Sequence, residues 1–265
     1  FVWPYVRNHL WAALNSVVLG NNKDKNIKPY RIQGGHSSQI SVREQRRLRE
    51  RYNAKTLNAL PMTQVDFLFF VLPNATEKQL LKDGKIYHKI IDPVYEAALK
   101  EGTALKIEVL RTANLEEDWT QYQHPATLLL LDCNLRKYSE NLSYDLSFHA
   151  KMQAYITALN TLNEEQLCAV IDYEFSIRDY YLDVLKKLKP KVVFINFYHR
   201  YAPLCSAAHE LGILVVDLQH GLQKGWNPLY NHYAEAKDKG YQALPKVFAV
   251  WSERDSEHIG NTFGT

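Results

Sequence analysis

The apolar run Ile213 to Leu218 stops abruptly at Gln219, His220 and Gly221, and this junction is where the 265-residue sequence first offers chemistry. A strand covered on both faces of a parallel sheet needs only apolar bulk, so the polar triplet beyond it asks for a separate reason. An imidazole with an ordinary pKa of about 6.5 can act as general base toward a hydroxyl, or bind a phosphate when protonated. It can also be no more than a satisfied histidine at a strand end. Gly221 allows positive φ or close backbone approach, which would let a ligand reach both Gln219 and His220.

A second polar cluster follows the neighbouring apolar run in the same way: "NFYHRY" supplies Asn196, Tyr198, His199 and Arg200. A third, Tyr87, His88 and Asp92, lies in the polar loop after "VDFLFFVLP". There Asp92 either caps the helix that Pro93 begins or binds an acceptor hydroxyl. Ligands of open parallel sheets bind beyond the carboxyl ends of the strands, so all three clusters are expected at one edge.

The elements that must hold them read as an α/β chain. Strands are expected at 65–72, "ALKIEVLR", "KVVFINF", "ILVVDL" and "KVFAVWS", with "PATLLLLD" either strand or buried helix. Helices are expected from about Tyr5, over "DPVYEAALKEG", from about Tyr144 to Leu159, from an Asn163 cap to Pro190, and over "APLCSAAHELG". Glu174 and Arg178, four residues apart on one of these helices, are read as an ordinary ion pair. The unit β-"KVVFINF", helix, β-"ILVVDL" is the clearest βαβ signal in the chain.

Composition sets the bounds. A hydrophobic fraction of 46% with 12% aromatic residues is enough for a substantial core. Cys133, Cys168 and Cys205 are odd in number, widely spaced and outside any C-x-x-C pattern, so neither a disulfide framework nor a zinc site is indicated, and a cytoplasmic location is expected. No metal and no cofactor are called for. Residues 23–55 hold ten Lys and Arg against three acids, a local excess of seven that leaves the remainder at about −4 given the net +3. Arg43, Arg46, Arg47, Arg49 and Arg51 read as a solvated helix face, or as a patch for an anionic membrane surface. Without interleaved aromatics, nucleic acid is not an expected partner. P-loop, G-x-G-x-x-G, G-x-S-x-G and H-E-x-x-H signatures are all missing.

Taken together, "KPKVVFINFYHRYAPLCSAAHELGILVVDLQHGLQKGWNPLY" followed by "LPKVFAVWSERD" resembles bacterial glycosyltransferases of the GT-B type that build capsule and lipopolysaccharide glycans. The resemblance spans about residues 185–255. It implies a Rossmann-like parallel sheet flanked by helices, one half of a GT-B architecture. It also implies a nucleotide-sugar donor as co-substrate, a glycan or lipid-linked acceptor, and peripheral contact with the cytoplasmic face of the inner membrane. His220 would then be the catalytic residue, and Gln219, Gly221, Tyr198, His199, Arg200, Asp92 and Tyr87 would bind substrate.

The expected organisation is an N-terminal helix and basic, loop-rich segment over 1–60 that packs on the core, and a Rossmann-like domain over 61–255. Residues 256–265 are expected to begin a linker. The Gly-rich and acidic loops of a donor domain do not follow "WSERDSEHIGNTFGT", so the chain is read as the acceptor-side part of a longer protein. Competing readings are a nucleotide-sugar epimerase-like enzyme and a non-catalytic binding or assembly module.

Overall fold

The computed structural model describes residues 46, 47, 49, 50, 53–60, 63–71, 78–110, 121–131, 164–221 and 242–263. The helices expected near Tyr5 and over 144–159, the Asn163 cap, Cys133, Arg43 and Arg51 lie outside these residues.

Six strands form one all-parallel sheet: β1 (Phe67–Phe70), β4 (Ala104–Leu110), β5 (Thr127–Leu130), β6 (Val192–Ile195), β7 (Leu214–Leu218) and β8 (Val247–Ala249). Across the sheet they run β5-β4-β1-β6-β7-β8. Counted by chain order within this sheet the sequence is 3-2-1-4-5-6, the Rossmann order, with the winding reversing between β1 and β6. The ambiguous "PATLLLLD" is therefore strand, and its edge is partly covered by Lys55, which pairs with the Leu128 and Leu130 backbone. The polar segment after β1 also contains a small antiparallel hairpin, β2 (Lys78–Leu80) and β3 (Ile86–His88), where the sequence predicts only loop.

Helices cover both faces because the strands are apolar on both. Over one face lie α2 (Glu164–Leu188) and α3 (Ala202–Glu210), whose Ile177, Tyr181, Leu185, Leu204 and Ala208 pack against Leu68, Phe70, Ile107, Val193 and Ile195. Small residues make α3 buried from Ala202 to Ser206 and on to Ala208, so it can sit close beneath α2. Arg178 crosses between them, donating to Ser206 Oγ at 3.2 Å and pairing with Glu210. The opposite face carries α1 (Ile91–Glu101), whose Ile91 and Ala98 pack with Phe69, Val71, Leu130, Val216 and Leu218. On this face Phe69 stacks on Phe194 at 4.7 Å and meets Tyr95 edge-on at 5.3 Å.

The amino ends of the strands are tied by Asp66. Its carboxylate accepts the Thr103 N–H and hydroxyl and pairs with Lys191 at 2.7 Å, joining the entries to β1, β4 and β6. Lys191, with the Thr103 bonds, holds the Asp66 pKa down to about 2. A Cβ at Gly102 would lie 2.6 Å from that carboxylate, so the helix end needs glycine for space.

The segment 53–60 joins the core through Ala54 and Leu60, and Lys187 Nζ donates to the Leu57 and Asn58 carbonyls. At the other end, α4 (Glu253–Phe263) buries Ile259 in the main core. Of the basic stretch, the described residues Arg46, Arg47, Arg49 and Glu50 are helical and exposed, and Arg46 pairs with Glu50 at 2.7 Å. No described helix is long and apolar enough to cross a membrane.

Candidate functional site at the carboxyl edge

β6, β7 and β8 all end at one edge, and a cleft of about 600 Å³ opens beside the exits of β7 and β8. Its floor is Leu218. One wall is the first turn of α1 with the residues before it, Lys89, Ile90, Pro93 and Val94; the other is Ala249, Val250 and Trp251. Gln219 and His220 complete the lining. The volume falls within the ~300–1,000 Å³ of small-ligand pockets. Trp251 leaves 59% of its surface exposed.

The two cleft residues expected from the sequence have different jobs. Gln219 is 4% exposed and committed within the chain. Its Oε1 accepts the Trp251 backbone N–H at 2.6 Å, its Nε2 donates to the Gly221 carbonyl at 2.8 Å, and its backbone N–H donates to the Ala249 carbonyl at 2.9 Å. It therefore braces the cleft, with its polar atoms turned to the chain instead of to a ligand. His220 is half-buried, and its ring lies 3.6 Å from that of Phe197, at 32°. Gly221 has no positive φ, and a Cβ there would meet nothing within 4 Å.

The β6 exit lies next to this, at the reversal of the sheet. Phe197, a residue the sequence reading passed over, adopts φ 79 and ψ 57, a left-handed conformation that bulky side chains avoid. A 3-10 turn, Tyr198–Arg200, follows. Tyr198 is buried with its ring edge-on to Phe248 at 5.7 Å, so its role is packing, and it does not line the cleft. His199 sits edge-on to Phe197 at 5.8 Å. Burial, with Arg200 and His220 nearby, pushes its pKa down to about 3 and keeps it neutral. Arg200 is exposed and outside the cleft lining.

The third predicted cluster does not line this cleft. Asp92 is fully buried and spent on two partners: it accepts the His88 N–H at 2.8 Å and pairs with Lys106 Nζ at 2.5 Å. In return His88 Nδ1 accepts the Ile91 N–H at 3.2 Å, so His88 and Asp92 together close the start of α1. Lys106 also donates to the His124 carbonyl at 2.6 Å and lies 5.3 Å from the Tyr95 ring centre. Burial lowers the Lys106 pKa while Asp92 opposes the shift. Tyr87 packs near His124, with its hydroxyl pKa raised by burial and the adjacent Glu96, away from the cleft. This network shapes the cleft indirectly, because Lys89, Ile90 and Pro93 flank the residues it fixes.

Lys106 and Glu108 were legible as a signal, being two charges at i, i+2 in an otherwise apolar strand and hence on one face. Among the described residues, no group of three or more His, Cys, Asp and Glu is placed to hold a metal ion. No protein-family model matches the chain, and neither does any curated protein or solved structure.

Proposed function

We propose that the chain is the acceptor-side part of a glycosyltransferase that moves a sugar from a nucleotide-sugar donor to a surface glycan or lipid-linked acceptor. The observation that carries this reading is the cleft at the carboxyl edge: apolar walls, one exposed indole, and polar chemistry reduced to His220 and Lys89 once Gln219 is committed to the chain. A pyranose ring has an apolar C–H face suited to an indole, and its hydroxyls need one acceptor in reach.

In the proposed reaction His220 accepts the proton of the attacking hydroxyl. That oxygen bonds to the anomeric carbon, and the sugar–phosphate bond breaks with its electron pair leaving on the nucleoside diphosphate. Lys89 supplies positive charge near the departing diphosphate.

Transfer of labelled sugar from nucleotide-sugars to lipid-linked glycan, measured with the full chain, tests this. His220→Ala is expected to lower transfer at least ~100-fold, the size of a lost general base, with the unfolding midpoint nearly unchanged. A large fall in stability with normal kinetics would make His220 structural and leave a binding module. Thermal titration separates the two halves of the reading: stabilisation by a nucleotide-sugar, about 2.7 kcal/mol at ~100 times its Kd, would put a donor site on this chain as well, and none is expected of an acceptor-side part alone.

A further inference from the structure

We infer that Phe197 is a positioning residue, held in a strained backbone conformation so that its ring fixes the imidazole of His220 at the cleft. Three described non-glycine residues have positive φ: Asn53, Lys189 and Phe197. Asparagine tolerates that region, and Lys189 follows the end of α2, where a left-handed residue commonly terminates a helix. Phe197 has neither excuse. It is bulky, it directly follows Asn196 at the end of β6, and a glycine would adopt the same φ and ψ at no steric cost. Strain of this kind persists where surrounding structure holds it, and it clusters at functional sites.

What the conformation achieves is a cluster of three rings. His199 meets Phe197 edge-on at 5.8 Å, and His220 lies tilted against it at 3.6 Å and 32°. The backbone around His220 is pinned separately, through the Gln219 N–H to Ala249 and the Gln219 side chain to Gly221. Backbone and ring of His220 are thus fixed by different residues, from β8 and from the β6 exit. Phe197 itself is absent from the cleft lining, so it acts through His220 and not on the ligand.

The kinetic part of this inference rests on the proposed role of His220; the structural part does not. The test compares Phe197→Gly, Phe197→Leu and Phe197→Tyr in the full chain, using histidine-labelled NMR, denaturant unfolding and sugar transfer. In the parent protein the His220 ring signals are expected to carry an upfield displacement from the facing aromatic ring. Phe197→Leu and Phe197→Gly should abolish that displacement and lower transfer at least tenfold, with the glycine variant keeping a nearly unchanged midpoint because relieved strain offsets lost contacts. Phe197→Tyr should retain both the displacement and transfer. His220 signals that are unchanged in the leucine and glycine variants would overturn the inference. If the parent transfers no sugar, the NMR comparison still decides it, and only the reading of the cleft fails.

Discussion

Two polar clusters lie on the α1 side of the same sheet, and they use their polar groups in opposite ways. Around Asp92, Lys106 and His88 the hydrogen-bonding capacity is turned inward: carboxylate to ammonium, ammonium to the His124 carbonyl, imidazole to the Ile91 N–H. Around Gln219 and His220 the bracing is done by Gln219, which leaves His220 and Lys89 on a cleft. Both clusters contain a histidine two to four residues from the end of an apolar run or turn, so residue type alone does not separate them. What separates them is exposure: His88, Asp92 and Lys106 are buried, whereas His220 is half-buried and lines the cleft.

The largest effect that would break this contrast is expected at Lys106. Lys106→Met leaves the Asp92 carboxylate buried without its cation and should cost about 3–5 kcal/mol in denaturant unfolding. Adding Asp92→Asn should recover most of that loss, since an amide oxygen can still accept the His88 N–H. If the single variant is as stable as the parent, the inward cluster is not the structural element described here.

A smaller, pH-dependent effect belongs to the His199 that flanks the cleft. Its folded pKa is depressed to about 3, so below about 6.5 the unfolded chain takes up a proton that the folded chain refuses. Stability should therefore fall as pH drops from about 6.5 toward 3, with a contribution of up to about 1.4 kcal/mol per pH unit. Unfolding measured between pH 7 and 4 should show a shallower slope in His199→Gln. Equal slopes would mean that His199 is already protonated in the fold.

The smallest effect on stability, and the most informative on the cleft, is expected from Gln219→Leu. It leaves the Trp251 backbone N–H without its acceptor and should cost about 1–2 kcal/mol. Binding of the glycan acceptor should weaken more than this loss of stability alone implies, because the His220 and Trp251 walls lose their common brace. Calorimetric titration checks it, and unchanged affinity would show that the two walls are set independently.

Much of the fold was legible because hydrophobic period and turn chemistry are local. The runs at β1, β4, β6, β7 and β8, the Pro93 start and Gly102 end of α1, and the buried small-residue helix α3 were all readable before any tertiary contact was known. The β2–β3 hairpin was not: its three-residue strands are too short for a period, and β2 is largely exposed. Nor was α4, whose polar sequence reads as a tail until Ile259 finds the core.

For the site, the sequence by itself determined that polar residues gather where β6 and β7 end, since a parallel strand must exit at its carboxyl end and "QHG" and "NFYHRY" stand there. It could not determine which of them face a ligand. That Asp92 is consumed by Lys106, fourteen positions away, that Gln219 is consumed by Trp251, thirty-two positions away, and that Phe197 is bent under His220 were decided by tertiary structure alone. The physical reason is that a polar side chain binds whatever partner folding brings within about 3 Å, and that distance is not written in spacing along the chain.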